Sequence, residues 1–237
     1  MKQLRKTIEE AVQDLLYLLE KGYPRKSAIA LVGNRYRLSG NERMVLYRGV
    51  FTRGECESRT RKRVDRNQEF TTSCVVDGYN VFITIESYLR GRVVFRALDG
   101  FTRDISGVYG NYTFGARTEQ ATDLLIRCLL GLTQNISHFL FFLDEPVSRS
   151  GEFARFLREA LKNADIPSAV EVVRSPDTLI GEYHARDLIA TSDTVLIDRV
   201  ERCTDLPGMV LSSVMGKEVL DLQALMEKDI PWIGPLR

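Results

Sequence analysis

The sequence predicts an α/β domain on a largely parallel sheet, preceded by a small all-α domain. Three observations carry this. Apolar residues recur at helical intervals through roughly the first 50 residues. Beyond about residue 70, short β-branched runs alternate with amphipathic helices, the pattern of βαβ units. The charge also changes sign: residues 1–70 hold 16 Lys/Arg and 9 Asp/Glu, a net of +7, whereas residues 71–237 hold 17 and 23, a net of −6, so the overall +1 conceals two electrostatically different parts.

From Leu4 to Leu19 the apolar set Leu4, Ile8, Val12, Leu15, Leu16 and Leu19 marks an amphipathic helix, ended by Gly22 and Pro24. A second helix is expected from Ser27 to about Tyr36. Ser39 followed three residues later by Glu42 is a capping box, which starts a third helix through Met44, Leu46 and Val50. Residues 53–66, RGECESRTRKRVDR, lose the apolar pattern and are expected to form a charged connector, which places the domain boundary between residues 66 and 67.

Beyond it, strand one is Ser73–Val76, ending at Asp77–Gly78–Tyr79–Asn80, with a helix through Ser87–Leu89. Strand two is Arg92–Ala97, ending at Asp99–Gly100, followed by a loop containing GVYGNYTFG and a long helix from Thr118 to Leu132. Strand three, His138–Leu143, ends at Asp144 and leads to a helix over Ser150–Asn163. Strand four is Ala169–Val173, ending near Asp177, and strand five is Asp187–Thr191, ending at Ser192–Asp193. Gly208–Ser212 and Trp232–Ile233 are weak strand candidates.

Several function classes fall away on composition. No apolar run approaches the roughly 20 residues that cross a bilayer, and the charged start, MKQLRKTIEEAVQDLL, has no apolar signal region, so a cytoplasmic protein without a membrane partner is expected. The cysteines at 56, 74, 128 and 203 form no CxxC pair, and the two histidines, His138 and His184, have no recognisable catalytic neighbours in sequence. Zinc-knuckle, redox and histidine-triad chemistry are therefore not expected.

Aspartates carry the remaining chemical signal. Strands of a parallel sheet all point their carboxyl ends to one side, where ligands bind. Asp77, Asp99, Asp144, Asp177 and Asp193 fall at or just beyond predicted strand ends, which would gather distant carboxylates on one rim. Such a cluster raises its own pKa values unless a cation neutralises it, and Mg²⁺ or Mn²⁺ with oxygen ligands is the natural partner. A strand-end Asp is equally a turn residue or helix cap, so for each one alone the two readings stand level; Asp77, Asp144 and Asp193 together favour a site.

Four stretches resemble the PIN/NYN nuclease superfamily. VVDGYNVFI (75–83) is similar to the first strand of NYN ribonucleases, and IATSDTVLID (189–198) looks like the last acidic motif of PIN-type nucleases. LFFLDEP (140–146) looks like the acidic middle strand, and VVRSPDTLI (172–180) like the strand followed by an Asp at a helix start. The resemblance covers about residues 71–200. It implies a PIN-like three-layer α/β/α fold and phosphodiester hydrolysis, with Asp77, Asp144 and Asp193 as metal ligands and Asp177 carried over beside them; Asp104, as a catalytic carboxylate, and Asp198, as a metal ligand, are secondary candidates outside the resemblance. Asn80 would orient a water or a carboxylate, or cap a helix. The segment Arg92–Thr133 is an insertion relative to that pattern and adds Asp99, Asp104 and Glu119 as further carboxylates. The whole chain, including LVGNRYRLS (31–39), resembles an uncharacterised, largely archaeal family of two-part proteins with a basic helical head.

The basic head points to nucleic acid, RNA first, as the partner. Arg35, Arg37, Arg61, Lys62 and Arg63 would meet the phosphate backbone, and Arg117, just before a long helix, is a further candidate. A solvated face with interdomain salt bridges is the competing account. A homodimer is left open, as are a catalytically silent RNA- or protein-binding module and a small-molecule phosphohydrolase on the same fold.

Overall fold

The amphipathic start folds as its pattern predicts. In the computed structural model, which describes residues 2–64, 72–106, 112–183 and 187–226, the first helix α1 spans Lys2–Glu20. Helices α2 (Arg25–Arg35) and α3 (Gly40–Gly49) follow, and the Ser39–Glu42 capping box is formed, with Ser39 accepting from the Glu42 amide and Glu42 from the Ser39 amide.

The charged stretch after residue 52 is not a connector. It is a fourth helix, α4 (Arg53–Lys62), started by a second box in which Thr52 Oγ1 accepts from the Glu55 amide and the Glu55 carboxylate accepts from the Thr52 amide at 2.7 Å. The T-x-x-E signal was in the sequence; the missing apolar stripe hid it, because this helix is polar nearly all round.

The remaining elements are β1 (Thr72–Asp77), α5 (Gly78–Leu89), β2 (Val94–Arg96), β3 (Thr102–Asp104), α6 (Ala116–Leu130), β4 (Ile136–Asp144), α7 (Ser150–Asn163), β5 (Ser168–Val173), α8 (Pro176–Glu182), β6 (Leu188–Ala190), α9 (Thr194–Arg199), β7 (Cys203–Thr204), α10 (Leu206–Met209) with a π-helical continuation Val210–Val214, β8 (Leu220–Asp221) and α11 (Leu222–Met226). The Gly208–Ser212 strand candidate is therefore helical. Trp232–Ile233 and residues 107–111 of the GVYGNYTFG loop lie outside the described residues.

The chain divides into two units. The first comprises Met1–Thr60, Val94–Ile105 and Val219–Arg237 and the second Arg61–Val93 and Ser106–Glu218, so two later segments group with the N-terminal helices. In the helical unit, β2 forms an antiparallel hairpin with β3 and pairs in parallel with β8. Its core joins Val12, Leu15, Leu46 and Val50 to Phe95, Ala97 and Leu222. Gly49 is required there, since a Cβ would meet Phe95 and Leu222 side-chain carbons at 2.6 Å.

The second unit is a mixed α/β domain whose five strands are all parallel, in the order β5-β4-β1-β6-β7. Counted within the sheet this is 3-2-1-4-5, so the chain steps outward from β1 on one side and then returns to the other. The reversal lies between β1 and β6, and ligand crevices of open parallel sheets form at the carboxyl ends beside such a point. The core is built from the inward faces of β1 and β4, with Val76, Phe139, Phe141 and Leu143, against α5, α6 and α7 through Phe82, Leu125, Phe153 and Leu157.

Candidate functional site

Asp77 is the last residue of the central strand. The turn after it is tight enough that a Cβ on Gly78 would come within 2.7 Å of the Phe142 carbonyl and 2.5 Å of a Leu143 methyl, so glycine lets α5 start against β4. Asp77 occupies the N-cap position of α5 but makes no side-chain capping bond. Its carboxylate, in a residue only 4% exposed, instead accepts from the Thr191 hydroxyl at 2.8 Å. Thr191 follows β6, whose Ala190 lies opposite Val76, so strand register alone sets these two side chains beside each other.

A second link runs parallel to the first. Asn80, buried on the first turn of α5, accepts through Oδ1 from both the amide and the hydroxyl of Ser192, each at 2.9 Å. The DGYN and TSD motifs, more than 100 residues apart, are thus joined by side chains at the switch point. Asn80 neither caps the helix nor presents its Oδ1 to solvent; it fixes the turn that carries Asp193. Asp193 itself caps α9, its Oδ1 accepting from the amides of Val195 at 2.8 Å and Leu196 at 3.1 Å.

Register places the other carboxylates. Phe142 of β4 lies opposite Asp77, so Asp144 sits two residues further toward the same rim, opposite Val173 of β5. Asp177 follows Pro176 in the first turn of α8, just beyond β5. Asp77, Asp144, Asp177 and Asp193 line one cavity of about 460 Å³ together with Arg174, Ser175, Pro176 and Thr178.

Crowding four carboxylates has the expected electrostatic result. Burial, then the charges of Asp177, Asp193 and Asp144, push the Asp77 carboxyl up to about 7 against the opposing effect of the Thr191 hydrogen bond. Burial and Asp177 raise Asp144, and burial and Asp193 raise Asp177, with Arg199 acting in the other direction. The donor set is all oxygen and unbalanced in charge, which suits a hard divalent cation. Among the described residues, no three His, Cys, Asp or Glu side chains converge to enclose a metal by themselves. An ion bound there would need water or ligand oxygens besides one or two of these carboxylates.

The other residues singled out in the sequence lie elsewhere. Asp99 and Asp104 do not end strands of this sheet, because β2 and β3 belong to the small sheet of the helical unit. Asp99 is fully buried between Arg59 and Arg103, and buried Asp104 pairs with Arg48 at 3.8 Å. Glu119 is exposed on the first turn of α6. Asp198 is exposed near the end of α9 and does not line the cavity. Lys62 donates to the Ile197 and Asp198 carbonyls at 3.0 and 2.8 Å and so holds the C-terminal end of the helix that Asp193 caps. Arg63 forms a backbone bridge to Cys203, while Arg61 is exposed. Arg35 is exposed and pairs with Asp14 at 3.4 Å, Arg37 is exposed with left-handed backbone at φ 51°, and Arg117 is exposed and bonded to Gln120.

Sequence reasoning missed Thr191 as the partner of Asp77 and Arg174 as the cation lining the cavity. Arg174 pairs with Glu145 at 3.0 Å, both side chains largely in solvent. Only its place next to Ser175–Pro176–Asp177 signals it. Among the described residues, no helix is long and apolar enough to cross a membrane.

Comparison with known proteins also finds two parts, although residues 94–105 of the helical unit fall inside the second match. Residues 7–62 match the family described as Protein of unknown function (DUF434), and residues 67–209 match Domain of unknown function (DUF5616). The chain is 31% identical over 203 residues to the uncharacterized protein MJ0935 of Methanocaldococcus jannaschii, covering 84% of this chain and 94% of that one. No solved structure matches. With more than half of its length inside the second match and nearly all of an archaeal relative aligned to it, the chain belongs to the family described as Domain of unknown function (DUF5616).

Proposed function

We propose that the α/β unit is a PIN/NYN-like, divalent-metal-dependent phosphodiesterase acting on RNA. The observation that carries this reading is the meeting of Asp77, Asp144, Asp177 and Asp193 in one cavity at the switch point of a 3-2-1-4-5 parallel sheet. One or two of Asp77, Asp144 and Asp193 would ligate Mg²⁺ or Mn²⁺, with water and phosphate oxygens completing the set. When bound, such an ion supplies a Lewis acid that offsets phosphate charge and makes water more acidic.

The chain's own residues do the rest. Thr191 fixes the rotamer of Asp77, and Asn80 fixes the turn that presents Asp193. Arg174 would meet a phosphate oxygen: its partner Glu145 lies in solvent, and an exposed pair of this kind contributes at most about 1 kcal/mol, so an incoming phosphate could replace it. Arg35, Arg37 and Arg61 remain exposed cations suited to a polyanionic strand.

One observation favours a second reading. Among the described residues no three His, Cys, Asp or Glu side chains form a metal-holding group, which suits a catalytically silent module that holds RNA or a protein. A cleavage assay with Mn²⁺ on single-stranded and structured RNA separates the two. The phosphodiesterase reading expects cleavage that Asp77→Asn and Asp193→Asn each reduce by at least about 100-fold, in the range reported for single transition-state-stabilising groups. Equal cleavage by all three proteins, or none by the wild type, removes it.

A further inference from the structure

The helical unit carries three tyrosines that fold stability does not account for. Tyr17, Tyr23 and Tyr47 are 64%, 55% and 53% exposed. Single exposed aromatic side chains are ordinary and need no explanation. These three, though separated in sequence, lie on segments that hydrogen bonds tie together: the last turn of α1, the α1–α2 turn and the last turn of α3. The Tyr23 amide donates to the Leu18 carbonyl at 3.1 Å, directly beside Tyr17. The Arg25 guanidinium, two residues after Tyr23, donates to the Tyr47 carbonyl at 3.1 Å and the Val50 carbonyl at 2.6 Å. The end of α1 is tied to the start of α4 there as well, Glu20 accepting from the Arg53 amide at 2.6 Å.

The same segments carry cations. Lys21 lies 5.6 Å above the centre of Tyr17, Lys26 and Arg53 are exposed, and Arg25 sits over Phe51 at 4.9 Å. Glu20 accepts from the Arg53 amide, and Glu55 accepts from Thr52 and pairs with Arg25. Exposed flat rings interleaved with cations form the surface that binds unpaired nucleobases, since each base offers a π-face and each nucleotide a phosphate. A duplex, with its bases stacked inside, offers the rings nothing to stack on.

We propose that Tyr17, Tyr23 and Tyr47 form a stacking platform for single-stranded nucleic acid, with Lys21, Lys26 and Arg53 meeting its phosphates. The platform binds without cleaving and does not depend on the aspartate cavity.

The test is fluorescence anisotropy of the full chain with a labelled single-stranded 20-mer in EDTA, which removes any metal-dependent cleavage. The triple variant Tyr17→Ala, Tyr23→Ala, Tyr47→Ala is expected to bind about tenfold or more weakly with an unchanged salt slope, while the matching triple Phe variant stays within about twofold of wild type. Lys21→Gln with Lys26→Gln should instead flatten the salt slope. An abasic strand of the same length should bind wild type and the triple Ala variant alike. Wild-type affinity in the Ala variant, no wild-type binding at low salt, equal losses for Phe and Ala variants, or a loss that persists on the abasic strand would each overturn the platform. Far-UV circular dichroism, which should be unchanged for side chains this exposed, checks that the variants fold, and the Phe variant tests stacking with the ring retained.

Discussion

The Thr191 hydroxyl donates to Oδ2 of Asp77 at 2.8 Å across 114 residues of sequence, and the same Thr191 oxygen accepts from the Asp193 amide at 3.1 Å. One hydroxyl therefore sets the orientation of one strand-end carboxylate and the turn bearing another. Thr191→Val keeps the shape and removes both functions. The Asp77 carboxylate loses the one hydrogen bond that opposes its raised pKa, and a buried acceptor loses its donor, at a cost of about 1–3 kcal/mol. Urea denaturation should show this loss at pH 8, with Thr191→Ser restoring most of it. A Val variant as stable as wild type would mean that the bond contributes nothing.

Asp77 also fixes a pH dependence. Its carboxyl is raised from 3.8 to about 7, so the folded protein holds this proton more tightly than the unfolded chain does. Below about pH 4 both states are protonated and no difference arises. Between about 4 and 7 the unfolded chain releases the proton first, so stability falls as pH rises through this window and levels off above it. At about 1.4 kcal/mol for each tenfold difference in proton affinity, the loss is roughly 4 kcal/mol at most. Asp77→Asn, which still accepts from Thr191, should match wild type near pH 4 and exceed it at pH 8. Added Mn²⁺ should raise the wild-type Tm more at pH 8 than at pH 6 and leave the Asn variant unmoved. Parallel pH-stability curves for the two proteins would contradict the raised carboxyl.

Legibility from sequence followed the periodicity of each element. Helix α7 was predicted at its observed bounds because Phe153, Leu157 and Leu161 repeat at helical spacing, and β1, β4 and β5 were found because their apolar runs end at turn residues. Asp77, Asp144, Asp177 and Asp193 could be placed on one rim because strand ends of a parallel sheet share a side. Asp99 and Asp104 could not be told from them. Val94–Arg96 reads like any short strand, and nothing local says that its partners are β3 and, across more than 100 residues, β8. Helix α4 was missed because it has almost no apolar face, and Thr191 because the sequence gives no strand register.

The misplaced Asp99 leads to a different expectation. It is fully buried and bidentate to Arg103 at 2.7 and 2.8 Å, with Arg59 at 3.1 Å, while Arg59, Arg25 and Arg103 stand 4.4–5.1 Å from the centre of the Phe51 ring. Removing the anion leaves two buried guanidinium groups without their shared partner. Asp99→Asn should therefore destabilise the protein by about 3–5 kcal/mol, among the larger effects of any single substitution. Guanidinium chloride denaturation measures it. A change below about 1 kcal/mol would mean that solvent or Glu55 compensates the charge and that the network is not a keystone of the helical unit.

Arg174 and Glu145 offer a test in which one substitution weakens and another strengthens the same step. If the phosphodiesterase reading holds, Arg174 exchanges Glu145 for a substrate phosphate, and Glu145 competes with that phosphate. Arg174→Gln removes a charge-assisted contact and should raise KM roughly tenfold or more, as loss of about 1.5–3 kcal/mol implies, with a smaller change in kcat. Glu145→Gln keeps the shape, releases the guanidinium and should lower KM by a few-fold, since an exposed pair holds it by no more than about 1 kcal/mol. The double variant should resemble Arg174→Gln alone, because Glu145 acts only through the arginine. Steady-state kinetics on one RNA substrate at fixed salt decides this: if Glu145→Gln lowers KM equally in the presence and absence of Arg174, the carboxylate repels substrate directly and the arginine is a bystander.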